Sequence, residues 1–222
     1  MKSRNGKAIS VDIFKELIQA EMIAPEGIVA IVDRLAYGED VKKDKKKAFL
    51  LAQQGMRLKD PYLTWYVADA YEHGAGVKKS LSQALVYYKK AISLNSLEAC
   101  TGLGVYYWKK ARSTKQEKSA QRFYKQAVNL YRKAARRREP YAINNLGLCY
   151  EYGEGVPVNS KIAYRFYTKA AALGHDNAMY KAGCCLLNGE GVSKDRQLAA
   201  QWLKAASDLG HRGASKLISK RV

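Results

Sequence analysis

A motif that returns at fixed spacing is the feature that most constrains this chain. The segment Tyr152-Gly-Glu-Gly-Val156 recurs 36 residues later as Asn188-Gly-Glu-Gly-Val192. The segments His73-Gly-Ala-Gly-Val77 and Tyr37-Gly-Glu-Asp-Val41 are again 36 residues apart. The first glycines of the two pairs, Gly74 and Gly153, are separated by 79 residues, which is one interval of 36 and one of 43. The sequence therefore predicts five repeats, at about residues 27–62, 63–98, 99–141, 142–177 and 178–213.

Each repeat has the pattern of two helices joined by a turn. In the fourth repeat, Ala142, Leu146 and Tyr150 fall on one helical face with Gly147, and the glycines of the turn end that helix. A second apolar stripe runs over 163–173 and stops at Gly174. A chain with 4 prolines and 47% hydrophobic residues suits packed helices better than sheet or disorder. We therefore predict an all-α protein.

The third repeat departs from this pattern. It is seven residues longer, and Tyr106-Tyr-Trp-Lys-Lys-Ala-Arg112 stands where the other repeats have their glycine turn. Residues 108–138 also hold twelve Lys and Arg but one acid, Glu117. We expect a second helix that is longer than its neighbours and projects from the array.

The recurring order of Ala, Leu-Gly, Tyr, Gly-x-Gly-Val, Lys-Ala, an aromatic pair and Ala-Ala-x-x-Gly resembles the Sel-1-like repeat, a relative of the tetratricopeptide repeat. The resemblance covers about residues 27–213 and is strongest in Ala142–Gly174 and Ala178–Gly210. It implies a right-handed α-solenoid that serves as an adaptor in protein assembly. Solenoids need terminal caps, so we expect residues 1–26 to form an N-terminal capping helix and residues 214–222 a C-terminal partial repeat or cap.

The resemblance also implies that the first helices of the repeats line a concave groove. Two positions that flank the small residue of each first helix, and a few neighbours, should then face a partner. The expected partner is a peptide or helix, with Trp65, Trp108 and Tyr180 as anchors. The groove is acidic and aromatic toward its N-terminal half. The residues assigned to it are Trp65, Asp69, Glu72, Trp108, Asn144, Leu148 and Tyr180.

The formal net charge is +19, from 39 Lys and Arg against 20 Asp and Glu. None of the assigned groove residues is basic, so the excess cations must lie elsewhere on the protein. The cations follow the repeat register, so we expect a basic ridge along the loops between the two helices of each repeat and a second concentration on the third repeat. The residues assigned to this basic surface are Lys42, Lys43, Lys45, Lys46, Lys47, Lys78, Lys79, Lys109, Lys110, Arg112, Arg132, Lys133, Arg136, Arg137 and Arg138.

Two functions stay open at this point. The first is a non-enzymatic adaptor that binds a protein in the groove and an acidic surface along the basic ridge. The alternative is a nucleic-acid-associated or ribonucleoprotein assembly factor that uses the third hairpin. The cations also suit a solvated face, an acidic protein or an anionic membrane surface.

No catalytic or cofactor constellation is evident in the sequence. The four cysteines, Cys100, Cys149, Cys184 and Cys185, form no CxxC pair. The turn glycines lack the Gly-Lys-Ser/Thr of a phosphate loop, and a position after a helix-ending glycine predicts that His175 and His211 cap or link repeats. We expect no enzyme, no cofactor, no metal and no small-molecule substrate.

The small number of cysteines indicates a reducing compartment. Some secreted, cysteine-rich relatives carry a disulfide in every repeat, but this chain lacks cysteines on its second helices, and whether Cys149 and Cys185 ever pair is left open. No apolar run approaches the roughly 18 residues of a membrane span. We expect a soluble, cytoplasmic protein without a transmembrane segment.

Overall fold

The computed structural model of the chain describes residues 24–38 and 41–219. Regular structure in this part of the chain consists of helices, joined by short turns and a 3-10 turn at Met56–Leu58. The α-helices are α1 Pro25–Tyr37, α2 Lys45–Gly55, α3 Pro61–His73, α4 Leu81–Ser93, α5 Leu97–Ser113, α6 Glu117–Ala135, α7 Pro140–Tyr152, α8 Ser160–Ala171, α9 Asp176–Asn188, α10 Arg196–Asp208 and α11 Arg212–Ser219.

The chain divides into two compact bodies, and the division falls within the sequence of α5. The N-terminal body ends at Gly102 and the C-terminal body begins at Leu103. The predicted all-α class and the helix-turn-helix repeats are confirmed. Most of the expected N-terminal capping helix lies outside the described residues, whereas α11 occupies the expected C-terminal cap.

Local signals in the sequence set the ends of each helix, as the fourth repeat shows. Pro140 takes the first position of α7, where its missing N–H costs no hydrogen bond. The helix ends at Gly153, whose φ of 73° is favourable only for glycine. The Asn159 side chain then accepts a hydrogen bond of 2.9 Å from the backbone N–H of Ile162 and caps α8. The predicted turn and the stop near Gly174 are confirmed.

The small residue in the middle of each first helix allows the second helix to approach closely. A Cβ added to Gly147 would lie 2.5 Å from the ring of Tyr167, and one added to Gly104 would lie 2.5 Å from the ring of Tyr131. Both tyrosines are buried. Interiors are close-packed, so a side chain at these positions would force the two helices apart.

Where a turn has a second glycine, that glycine allows one repeat to contact the backbone of the preceding repeat. A Cβ on Gly191 would lie 2.2 Å from the carbonyl oxygen of Ser160, and a Cβ on Gly76 would lie 2.1 Å from that of Lys45. Ser160 and Lys45 are the first residues of the preceding second helices. The glycine therefore permits a direct contact of backbone with backbone.

The structure corrects the sequence interpretation at two places, one in the third repeat and one in the first. Residues 106–112 form no turn, because α5 stays helical as far as Ser113. Lys109, Lys110 and Arg112 therefore lie inside a helix, and Lys45 to Lys47 lie in the first turn of α2, so these cations do not belong to loops. The expected long second helix is confirmed: α6 has 19 residues, against 12 in α8.

Candidate functional site

The first helices of the N-terminal body, α1 and α3, carry a group of acidic and aromatic side chains. The Tyr62 hydroxyl donates a hydrogen bond of 2.8 Å to the Asp33 carboxylate. The rings of Tyr62 and Trp65 lie 5.0 Å apart in a tilted arrangement. Burial, together with the hydrogen bond to Asp33, raises the pKa of Tyr62, so the phenol remains a donor at neutral pH. We call this group, with Asp69, the first-helix face.

An open cleft of about 390 Å³ adjoins the first-helix face. Burial, with nearby acidic groups, raises the pKa of Tyr66 to about 12. The imidazole Nδ1 of His73 lies 3.1 Å from the Asp69 carboxylate. Tyr37, whose side chain is 61% exposed, forms one wall. The lining residues are Ala36, Tyr37, Lys45, Tyr66, Asp69, Ala70, His73 and Ala75.

Sequence reasoning placed Asp69 in this region but missed Tyr37 and Tyr66. A signal for Tyr37 was present, because it immediately precedes the turn glycine in register with His73. Tyr66 directly follows Trp65, but the expectation of two groove positions per first helix did not include it.

Glu72 is part of the scaffold of the N-terminal body as well as of the assigned groove. Glu72 is only 7% exposed, and its carboxylate accepts a hydrogen bond of 2.9 Å from the buried hydroxyl of Tyr88. Burial raises the pKa of Tyr88, and the Glu72 charge raises it further. The pair joins the first and second helix of one hairpin.

Glu151 occupies the same register position in the C-terminal body. It accepts a hydrogen bond from the Tyr167 hydroxyl, and Lys181 Nζ lies 2.9 Å from one of its carboxylate oxygens. Burial on its own would raise the pKa of Glu151, but the hydrogen bonds from Tyr167 and Lys181 outweigh it and the pKa is lowered. Lys181 is a cation that the sequence assignment of the groove did not include.

The other groove residues assigned to the C-terminal body take part in contacts within the chain. Trp108 Nε1 donates a hydrogen bond of 2.6 Å to Glu154, and Arg112 lies 4.8 Å above the indole ring. The ring of Tyr180 is stacked on His211 with centroids 4.5 Å apart. Two more assignments remain: Asn144 is 6% exposed, and Leu148 packs against the cluster of Ala163, Tyr167, Ala182 and Cys185.

The two histidines have the capping role that their position predicts. His175 Nδ1 accepts a hydrogen bond of 3.2 Å from the N–H of Ala178, and His211 Nδ1 accepts one of 3.0 Å from the N–H of Ala214. His211 Nε2 also lies 3.1 Å from the side-chain oxygen of Asn177 in α9, the first helix of the preceding hairpin, which links two repeats. Burial lowers the pKa of His175. The imidazole therefore stays neutral, as the cap requires.

The four cysteines are free thiols. Burial raises the pKa of Cys149 and that of Cys185 to about 12, so neither is a thiolate at neutral pH. In residues 24–38 and 41–219, no three His, Cys, Asp or Glu side chains come together as a metal site would need. No helix within the same ranges has the length and apolar character of a membrane span.

The fifteen side chains assigned to the basic surface are all exposed. Those at positions 42–79 belong to the N-terminal body and those at positions 109–138 to the C-terminal body. Lys47 pairs with Asp44 at 3.6 Å, at the start of α2.

Stacked helical hairpins, with glycine turns that bring backbone against backbone, define the α-solenoid class. The chain belongs to the Sel1 repeat family, whose model matches residues 30–60, 63–96, 117–138, 140–175 and 176–211. The third match covers only the second helix of its repeat, where the first helix has lost the glycine turn. Sel1 repeats are protein-interaction scaffolds.

Solved structures show the same fold. A Sel1 repeat protein from Oxalobacter formigenes is 24% identical, with a TM-score of 0.74, over 92% of this chain and 86% of that one. The immunity protein Pa5087 from Pseudomonas aeruginosa is 19% identical, with a TM-score of 0.62, over 86% and 67%. A Sel1 repeat protein from Klebsiella pneumoniae is 20% identical, with a TM-score of 0.53, over 91% and 95%. No curated protein matches the sequence.

Proposed function

We propose that this chain is a non-enzymatic adaptor that binds a segment of a partner protein on the first-helix face of its N-terminal body. The observation that carries the proposal is the 390 Å³ cleft lined by Tyr37, Tyr66 and Asp69, since Asp69 lies one helical turn from Trp65 on α3. Aromatic side chains next to a concave surface are typical anchors of protein interfaces.

The charges of this face suggest which segment fits. Asp33 and Asp69 supply carboxylates, and the Asp33 carboxylate is held in place by the Tyr62 hydroxyl. A segment that carries an apolar or aromatic side chain next to a lysine or arginine would place the first against Trp65 and the second near Asp69. Fixed acceptors favour such a segment over an acidic one.

The C-terminal body supports this choice because its corresponding aromatics already have neighbours in the chain. The indole N–H and ring face of Trp108 are occupied by Glu154 and Arg112, and Tyr180 is covered on one side by His211. Trp65 also has a ring neighbour, Tyr62, but this neighbour belongs to the same first-helix face, so Trp65 is the strongest candidate of the three anchors assigned from sequence.

A non-catalytic role agrees with the ionisable groups that the fold perturbs. The raised pKa values belong mainly to tyrosines and thiols, and burial between packed helices is the largest cause for Tyr88, Tyr131 and Cys149. These groups occupy scaffold positions. We accordingly propose no cofactor and no small-molecule substrate, and a cytoplasmic location, where the thiols stay reduced.

The test is an affinity purification from the source cells with the chain as bait. A Trp65→Ala, Asp69→Asn double variant should lose its associated protein, while Val86→Ala, a change at an exposed position of α4, should keep it. Truncation of an interface anchor typically costs 2 kcal/mol or more, about a thirtyfold loss of affinity. Retention of the same protein by the double variant would refute the proposal.

A further inference from the structure

The solvent face of α6, together with its C-cap Arg136, carries a row of six cations and one asparagine. Its exposed side chains recur every three or four residues, so they lie on one side of the helix. At a rise of 1.5 Å per residue the row is about 27 Å long. Glu117, at the first position of the helix, is the acid of α6. The members of the row are Lys118, Arg122, Lys125, Asn129, Arg132, Lys133 and Arg136.

The row continues onto the next second helix, α8. Ala135 of α6 and Phe166 of α8 both pack against the cluster of Ile143, Ala170, Ala171 and Ala178, and Arg132 of α6 reaches the hydroxyl of Tyr150, whose ring stacks on Phe166. Lys161, Arg165 and Lys169 are exposed at successive turns of α8. The outer side of the C-terminal body is therefore a basic surface two helices wide, and we call it the second-helix face.

A cleft of about 230 Å³ lies in the second-helix face. Its floor is a stacked pair, Tyr150 and Phe166, with ring centroids 5.7 Å apart and planes 14° from parallel. Cations surround it: Arg165 and Lys169 line it, and an Arg132 nitrogen lies 3.3 Å from the Tyr150 hydroxyl. The cleft thus combines an aromatic floor with three guanidinium or ammonium groups.

The N-terminal body provides an internal comparison, because it contains the same stacked pair without the same cations. Tyr71 and Tyr87, each 79 residues before Tyr150 and Phe166, stack with centroids 5.6 Å apart and planes 4° from parallel. At that offset, Arg132 corresponds to Gln53 and Arg165 to Val86, while Lys169 corresponds to Lys90. The scaffold therefore forms the aromatic pair without needing the two arginines, which points to a role for them outside folding.

The composition of the second-helix face distinguishes among polyanions. None of the exposed large hydrophobic side chains of the described residues lies on α6 or α8, so the surface has nothing to insert into a bilayer. Two amide side chains, Gln121 and Asn129, stand among the cations and offer both donors and acceptors to sugars and bases. A row of cations with amides and an aromatic floor suits a flexible strand of phosphates whose bases are accessible.

We propose that the second-helix face binds single-stranded nucleic acid, with phosphates along the cations of α6 and a nucleotide in the cleft over Tyr150 and Phe166. This activity is independent of the partner site on the first-helix face. It uses other residues in the other body, so the failure of one proposal leaves the other standing.

The experiment measures binding of a fluorescein-labelled 15-nucleotide oligouridylate to the full chain by fluorescence anisotropy between 50 and 300 mM salt. The informative variant is Arg132→Gln, Arg165→Val, which installs the residues that the N-terminal body carries at the matching positions. The control is Lys42→Gln, Lys78→Gln, which also removes two positive charges, but from exposed positions of the N-terminal body. Circular dichroism confirms that both variants fold.

We expect the cleft variant to bind about tenfold more weakly and to reduce the slope of log affinity against log salt by about 1.4, since each phosphate contact to a single strand contributes about 0.7. The control should change neither quantity beyond twofold. The proposal is overturned if the unaltered chain fails to bind the oligouridylate, if the cleft variant binds like the control, or if polyglutamate or phosphatidylserine vesicles compete as well as the oligonucleotide at equal charge.

Discussion

The second glycine of the repeat turn offers a quantitative test of how the repeats stack. Gly191 has a φ of 72°, and a Cβ placed on it would lie 2.2 Å from the carbonyl oxygen of Ser160 and 2.6 Å from the backbone N of Lys161. An alanine here would have to open the contact between the turn and the start of α8 by about 1.2 Å to reach an ordinary van der Waals distance of about 3.4 Å.

Two costs add at this position. The left-handed backbone costs an alanine about 1 to 2 kcal/mol, and the forced separation of packed groups costs about 1 to 3 kcal/mol. The alanine also reduces the conformational freedom of the unfolded chain, which stabilises the folded state by about 0.4 to 1 kcal/mol. We therefore expect Gly191→Ala to lower the free energy of unfolding by about 2 to 4 kcal/mol.

Gly174→Ala is the matched control. Gly174 has a φ of 86°, but no atom lies within 4 Å of its would-be Cβ, so only the backbone cost applies. Its loss should be about 1 kcal/mol. Urea unfolding of both variants, followed by circular dichroism at 222 nm, measures the difference. Equal losses within about 0.5 kcal/mol would refute the argument that backbone contact between repeats explains the second glycine.

Three further changes test other parts of the account. Arg138 has a φ of 64° in the turn that Gly174 forms one repeat later, so Arg138→Gly should raise the free energy of unfolding by up to about 1 kcal/mol; a loss in urea titration would contradict this. Because burial lowers the pKa of His175, the unfolded chain binds more protons below the ordinary pKa and stability should fall as the pH drops from about 7.5 to 5.5. Thermal melts should show a weaker pH dependence in His175→Asn, which keeps a capping side chain, and an unchanged dependence would exclude this histidine as the cause. Tyr88→Phe removes the donor to the buried Glu72 carboxylate and should cost about 1.5 to 3 kcal/mol in urea unfolding, whereas a loss below 0.5 kcal/mol would mean that the hydrogen bond is unimportant.

The parts of the fold that could be predicted from the sequence are those set by local backbone rules. Glycines such as Gly153 and Gly174 mark positions of positive φ, and capping residues such as Asn159 mark helix starts. These signals act over a few residues, so the helix ends followed from the sequence. The repeat register predicted a turn at 106–112, where the glycines are absent. No residue in that segment interrupts a helix, so α5 continues to Ser113.

The functional surfaces were less predictable because they depend on which side chains meet across helices. The repeat register assigned Trp108 to the groove. It did not indicate that the Trp108 indole donates a hydrogen bond to Glu154, 46 residues later. Nor did the register indicate that Glu151 pairs with Lys181, 30 residues later. The basic third hairpin was evident from composition, whereas the cleft over Tyr150 and Phe166 depends on the packing of α7 against α8.

The most direct test of the proposed function is site-specific photo-crosslinking in the cells that make this protein. A photoreactive phenylalanine analogue replaces Trp65 on the first-helix face in one strain and Val86 on α4, which is 59% exposed, in another. The account predicts an adduct with one partner protein from position 65 and none with that protein from position 86. Adducts with the same protein from position 86, or none from position 65 while the chain still co-purifies with its partner, would contradict it.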